Sequence, residues 1–438
     1  MRYIPHTPEE TSEMLATIGV SKIDDLFSDI PQDLILRRQL ELPGALDEHA
    51  ILKELAAIGE KNSSLTSYIG AGVYEHYVPS IVMEIISRGE FLSAYTPYQP
   101  EASQGYLQTI YEFQSMICEI TGMDVANASM YDGATALAEA CIMASGIKNK
   151  TKILLSNSVH PHYRACVQTF AEPADCTVTV CSDDELASNI DETTACVAVQ
   201  YPDFFGRITS PKQLLDAARA KGAMSIVVSD PVALGVLKTP GEMGADVVVG
   251  EAQSLGVPVG FGGPMVGYFC VRRELIRAIP GRIVGRTQDD KGRRGFVMTL
   301  RTREQDIRRE KATSNICTNQ ALMGLVATVW MTALGKSGFR ELAETCVQKA
   351  HFAASELCRI PGVSLKFPEQ PFAFEFTLDV GQNATVVAQK LREQGILAGL
   401  PLGDHYPELK NCLLIAVTET KSKQEIITFA TELAKVVN

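Results

Sequence analysis

Short apolar runs recur along the middle of the chain: Ile153-Leu154-Leu155, Thr177-Val178-Thr179-Val180, Ala195-Cys196-Val197-Ala198-Val199, Ile226-Val227-Val228, Val247-Val248-Val249 and Tyr268-Phe269-Cys270-Val271. Amphipathic stretches separate them. Runs this short and this rich in β-branched residues read as strands buried on both faces, so the alternation predicts βαβ units building one mostly parallel sheet between helices. Ahead of it, residues 1–65 read as a helical arm. Thr7 precedes Pro8 as an N-cap would, Ser28-Asp29-Ile30-Pro31 offers a second helix start, and residues 51–58 carry helical apolar spacing. Behind it, a helix over 339–358, strands over 363–367 and 372–378, a helix over 384–394, a strand over 413–417 and a helix over 422–436 predict a small α+β layer. The expected organisation is an N-terminal helical arm at 1–65, a large α/β domain at 66–325 and a smaller C-terminal α+β domain at 326–438.

A parallel sheet presents its ligand-binding groups at the carboxyl ends of its strands. Asp230 ends the run 225–229, and Glu251-Ala252-Gln253-Ser254 follows the next run. In enzymes that use pyridoxal phosphate (PLP), a strand-end Asp keeps the pyridine nitrogen protonated and a Lys on a later strand anchors the coenzyme as an imine. Here the Asp is present and the Lys is not. Between Asp230 and Lys291 the only lysine is Lys238, which comes too early to end the next strand, and Gln253 stands at the strand end. An amide cannot form an imine, so the chain cannot hold PLP covalently in the usual way. Gly133, Ala134 and Thr135 open a helical stretch, where free N–H groups would hold a phosphate or simply form a capped helix start. His160 follows the first of the six runs. It suits an imidazole laid against a planar ring and equally suits a histidine at a helix start.

Upstream, Tyr95-Thr96-Pro97-Tyr98-Gln99-Pro100-Glu101-Ala102-Ser103-Gln104 combines prolines with hydroxyl-bearing aromatics, as a binding wall or a packing loop would. Arg301, Arg303, Arg308, Arg309 and Lys311 form a basic cluster, read either as a solvated face or as a surface for an acidic partner. Composition narrows the class. At 438 residues, 46% apolar and 21% charged, the chain can bury a large core. A net charge of −12 disfavours nucleic acid as a partner. Eleven cysteines without a C-x-x-C pair predict neither a disulfide framework nor a metal site. With no signal-like N-terminus and no unbroken apolar stretch of spanning length, a cytoplasmic protein that does not enter membranes is expected.

Four segments together, YTPYQPEASQGYLQTIYEFQ, NASMYDGATALAEA, GADVVVGEAQSLGVPVGFGGP and REQDIRREKATSNICTNQAL, resemble the N-terminal half of the glycine cleavage system P-protein. Where that half is a separate chain it is subunit 1 of glycine decarboxylase. The resemblance covers essentially the whole chain and implies the PLP-dependent transferase type I fold. It implies a second subunit that bears the Schiff-base Lys, in an α2β2 heterotetramer with the site at the contact between unlike subunits. The implied activity is glycine dehydrogenase (aminomethyl-transferring, decarboxylating): glycine loses CO2 on PLP bound by the partner, and the aminomethyl group passes to the lipoyl arm of H-protein. Counting back from Pro258 puts Gln253 at the lysine's place. On this resemblance Gly133, Ala134, Thr135, His160, Asp230 and Gln253 become a vestigial pocket. Tyr95, Tyr98, Gln99, Glu101 and Gln104 would line the shared site, with Ser314, Asn315 and Thr318 near the interface. A catalytically inert scaffold or regulatory subunit of the same complex is the alternative.

Overall fold

The computed structural model describes residues 5–92, 96–312, 314–316 and 318–437, and within them seven strands form the central sheet. They are β1 (Val125–Ala126), β2 (Lys152–Ser156), β3 (Thr177–Cys181), β4 (Thr194–Tyr201), β5 (Met224–Ser229), β6 (Val247–Glu251) and β7 (Gly267–Val271). Their order is β1-β7-β6-β5-β4-β2-β3. The run from β3 to β6 is parallel, whereas β7 pairs antiparallel with β6 and β1 antiparallel with β7. Every residue of β5, β6 and β7 is buried, which is why these strands read as unbroken apolar runs.

Helices cover the sheet for reasons visible in their composition. Helix α1 (Gln104–Thr121) turns Leu107, Ile110, Phe113 and Ile117 inward at helical spacing and stops at Gly122, whose φ of 69° is a left-handed cap. Helix α2 (Gly133–Lys148) buries mostly small side chains, so it can lie close against the strands and beneath helix α3 (Pro161–Ala171). Helix α4 (Ala321–Leu357) begins well before the helix expected over 339–358 and continues across residues 325 and 326. Gly335, at φ 64°, breaks its helical geometry, so the periodicity on either side is out of phase. By length and composition α4 could cross a bilayer; its Trp330, Leu325 and Val326 lie in the core instead.

Two features depart from the expected pattern. A hairpin, β8 (Ile283–Gln288) with β9 (Arg294–Thr299), follows the central sheet. Its apolar stretches, Ile283-Val284 and Phe296-Val297-Met298, are short and run into exposed or half-exposed polar residues, unlike the fully buried strands of the central sheet. In the C-terminal layer, β10 (Ser364–Leu365), β11 (Glu375–Asp379), β12 (Leu400–Pro401) and β13 (Cys412–Ala416) form an antiparallel sheet in the order β10-β11-β13-β12. Helices Ala384–Glu393 and Lys423–Val437 accompany it.

The chain divides into compact units at Met1–Ser63 and Ser64–Asn438. In the first, Thr7 caps helix Pro8–Ile18 through a capping box and Asp47 caps helix Glu48–Gly59. Ser28-Asp29-Ile30-Pro31 starts no helix, contrary to expectation. Leu34, Leu36, Leu40 and Leu42 are spaced by two and four rather than along one helical stripe, and all are exposed.

Candidate functional site: a filled sheet edge and an arginine-backed tyrosine loop

Because β4, β5 and β6 are parallel, Gln200, Asp230 and Gln253 come to one edge of the sheet, facing the start of α2. Asp230 follows β5 directly, as expected. Its Oδ1 accepts from the Ala233 N–H at 2.9 Å and its Oδ2 from the Ser254 hydroxyl at 3.4 Å, while burial raises its carboxyl above the usual range.

Gln253 is 2% exposed and fully engaged. Its Oε1 accepts from the Tyr74 N–H at 2.9 Å, and its Nε2 donates to the Tyr74 carbonyl at 3.0 Å and the Val257 carbonyl at 2.7 Å. The amide therefore fastens the 70–78 loop to the strand end. Lys238, the one lysine between Asp230 and Lys291, is exposed ahead of the short helix Pro240–Met243.

The phosphate position is filled by the chain itself. Asp132 caps α2 through a capping box with Thr135, and the first N–H of the helix, on Gly133, donates to Glu251 Oε2 at 3.0 Å. Glu251 Oε1 also accepts from the Gln253 and Val266 N–H groups, both at 2.9 Å. Burial nevertheless pushes this carboxyl up to about 7, against the three N–H donors that favour its charge. Gly133 has no room for a side chain, since a Cβ would collide with the Tyr163 hydroxyl and the Glu251 backbone nitrogen. Ala134 follows within the first turn of α2.

The ring against which His160 lies belongs to Tyr163, stacked at 5.0 Å and 29°. His160 Nδ1 accepts from the His162 N–H at 3.1 Å, so its Nε2–H donates to the Ala71 carbonyl at 3.0 Å. Burial lowers its pKa to about 4, which leaves the ring neutral. Tyr74 closes the other side, its hydroxyl donating to Glu375 Oε2 at 2.8 Å. Glu375, which also accepts from the Ala71 N–H at 2.6 Å, is pushed up to about 7 by burial. The space left among Gly72, Tyr74, His160, Tyr163, Asp230 and Glu251 is about 30 Å³. Sites for small ligands span about 300 to 1,000 Å³, and this one holds about a water. With the anchor replaced and the phosphate cradle taken, these residues do not fit PLP.

The loop singled out upstream behaves differently. Tyr95 lies outside the described residues. Gln99 and Glu101 are exposed around the short helix Pro100–Ala102. Gln104 clamps this loop to β9: its Nε2 donates to the Pro100 and Phe296 carbonyls at 2.7 and 2.8 Å, and its Oε1 accepts from the Phe296 N–H at 2.9 Å. Tyr98 is half exposed over two guanidiniums, with Arg301 5.1 Å and Arg282 5.5 Å from its ring centre. Arg282 Nη2 donates to the Tyr98 hydroxyl at 3.2 Å, and Nη1 lies 3.5 Å from the Thr96 hydroxyl. Only 4% exposed, Arg282 is balanced by Glu304 at 3.7 Å.

The basic cluster separates by role. Arg301 pairs with Asp306, and Arg303 donates to the Leu300, Ile279 and Gly281 carbonyls. Arg308, Arg309 and Lys311 are exposed. Ser314 and Asn315 line a cavity beside Glu139 rather than the tyrosine loop, and Thr318 is partly buried next to Asn319. Arg282, Glu304 and Tyr163 carried no signal in the sequence, whereas Tyr74 sits in a loop of glycines and hydroxyl-bearing aromatics at 68–79 and Glu251 is a carboxylate beside Gln253 at the strand end.

A largely parallel sheet with Asp230 at its edge, a glycine-led helix facing that edge and a small antiparallel C-terminal layer define the fold of the type I PLP-dependent enzymes. The particular family follows from comparison with known proteins. The family model described as glycine cleavage system P-protein matches residues 1–433. A probable glycine dehydrogenase (decarboxylating) subunit 1 from Anoxybacillus flavithermus is 52% identical, covering 99% of this chain and 98% of that protein. A crystal structure of glycine decarboxylase (P-protein) of the glycine cleavage system, in inhibitor-bound form, superposes with a TM-score of 0.88 at 40% identity over 100% of both chains. A Burkholderia pseudomallei sphingosine-1-phosphate lyase shares the fold alone, with a TM-score of 0.67 at 14% identity over 91% of this chain and 93% of that one. This chain belongs to the glycine cleavage system P-protein family.

Proposed function

We propose that the chain is the subunit of a glycine decarboxylase that does not carry the coenzyme, paired with a lysine-bearing second subunit in a cytoplasmic α2β2 assembly. The observation that supports this division most strongly is Gln253. Its amide stands where an amine would be needed and is held by hydrogen bonds to Tyr74 and Val257, in an edge already filled by Glu251 and Tyr163. Glycine is the substrate in this reading, and lipoylated H-protein receives the aminomethyl group. PLP on the second subunit supplies the electron sink for the carbanion left when CO2 departs.

The part of this chain is positional. Tyr98, with its ring over Arg282 and Arg301, offers a hydroxyl and a cationic backing to a site completed by the partner. Gln104 fixes the loop that bears it, and Gln99 and Glu101 present polar groups from the same loop. Tyr95 is proposed for the same wall, and Ser314, Asn315 and Thr318 for the contact between subunits. A wall of this kind orients a small amino acid and excludes bulk water.

The test is exchange of labelled CO2 into glycine by this chain alone, by the second subunit alone and by the two mixed in the presence of H-protein. Exchange by the mixture only is the expected result. Exchange by this chain alone overturns the proposal.

A further inference from the structure

Helix α2 buries Ala136, Leu137, Ala138, Ala140 and Cys141, and among them lies a carboxylate, Glu139, 5% exposed. A carboxylate in such surroundings is unfavourable unless something balances it. The Ser314 side chain hydrogen-bonds to it, yet no cationic side chain among the described residues acts on it, and burial pushes its acid up to about 7. Glu139 does not face solid core. It lines a cavity of about 510 Å³ together with Ile142, Thr169, Phe170, Ser314 and Asn315. That volume is in the range of small-ligand sites and far exceeds the space left at the sheet edge.

We propose that this cavity is a binding site for a protonated primary amine, with Glu139 as its counter-charge. An ammonium group carries three donors and no acceptor, and the Glu139 carboxylate lines the cavity. Ser314 Oγ, which bonds to Glu139 and accepts from the Ile316 N–H at 3.1 Å, and Asn315 Oδ1, which accepts from Gln305 Nε2 at 3.5 Å, each keep a second lone pair for it. Ile142 and Phe170 suit the alkyl part, and Phe170 adds an aromatic face. Anions are excluded by the same carboxylate. The ammonium has two possible sources, a free small amine or the tip of a lysine from the second subunit. The amine site stands on Glu139 and its cavity alone, whereas the lysine source rests on the second subunit proposed above, to whose contact Ser314 and Asn315 are assigned.

The probe is n-butylammonium, titrated calorimetrically into the full-length chain at about pH 8, where Glu139 is largely ionised. Neutral butyramide is the control, and Glu139→Gln and Asn315→Ala are the variants. Saturable binding of the ammonium and not the amide is expected, weakened at least tenfold by Glu139→Gln in a protein whose melting temperature shows it is folded. Repeating the titration on the complex identifies the source. Retained binding points to a free amine, and loss of binding together with weaker assembly of Glu139→Gln points to the partner's lysine. The proposal is overturned if no saturable heat appears, or if Glu139→Gln binds as tightly as the unaltered chain. Should Glu139→Gln fail to fold, Asn315→Ala decides: weaker ammonium binding upholds the site and unchanged binding overturns it.

Discussion

Glu251 Oε2 accepts a hydrogen bond from the Gly133 N–H at 3.0 Å, so the chain's own carboxylate occupies the helix start that would otherwise hold an anionic group. The same residue, through Oε1, ties down the N–H groups of Gln253 and Val266. The pocket is thus closed by hydrogen bonds, and removing any one of its fillers should be felt in stability.

Gln253→Ala removes three hydrogen bonds and leaves the Tyr74 N–H and carbonyl without their partner. Buried groups left unsatisfied cost about 1 to 3 kcal/mol each. Partial relaxation of the 70–78 loop should hold the total to about 2 to 4 kcal/mol. Urea unfolding of the isolated chain measures it, and a loss under about 0.5 kcal/mol would mean that the amide is not a fastener.

The buried acids make stability depend on pH in a stated direction. Glu375 rises from the ordinary 4.5 to about 7 on folding, so the folded state holds its proton more tightly. Its contribution is full below about 4.5 and is lost as the pH rises through about 7, at up to about 1.4 kcal/mol per pH unit. Glu251 acts in the same sense. In Glu375→Gln the amide oxygen can still accept from Ala71 and the amide nitrogen can donate to the Tyr74 hydroxyl. Melting curves across this window should therefore slope less steeply for the variant than for the unaltered chain.

Tyr98→Phe removes the hydroxyl that Arg282 contacts and keeps the ring over Arg282 and Arg301. One charge-assisted hydrogen bond is worth about 1.5 kcal/mol, or roughly tenfold in rate if it acts in the transition state. Decarboxylation by the reassembled complex should fall by about that factor while the two subunits associate as before. An unchanged rate would return the loop to a structural role.

Gln104→Ala should free the tyrosine loop from β9. Hydrogen exchange at the Phe296 amide, which Gln104 Oε1 holds at 2.9 Å, is expected to rise without global unfolding. Protection equal to that of the unaltered chain would show that the clamp is dispensable.

The inner strands of the sheet were legible because they are buried on both faces, and burial writes itself into β-branched runs such as Val247-Val248-Val249. The hairpin carrying Phe296 was less so, because its one short apolar run, Phe296-Val297-Met298, lies in a strand of alternating exposure and not in a buried βαβ repeat. Asp230 and Gln253 could be placed at one edge from their positions after consecutive strands. Arg282 could not be paired with Tyr98, since 184 residues separate them and only tertiary packing brings them together. Glu251 stands beside Gln253 in the sequence, yet only side-chain packing shows that it and Tyr163 fill the space where an anchor is missing.

The central claim is that this chain supplies structure and a wall while the coenzyme rides on the other subunit. Borohydride reduction of the assembled complex in the presence of PLP, followed by mass analysis of each separated chain, tests it most directly. The account predicts a reduced adduct on the second subunit and none on this chain. An adduct on any lysine of this chain, Lys238 included, would contradict it.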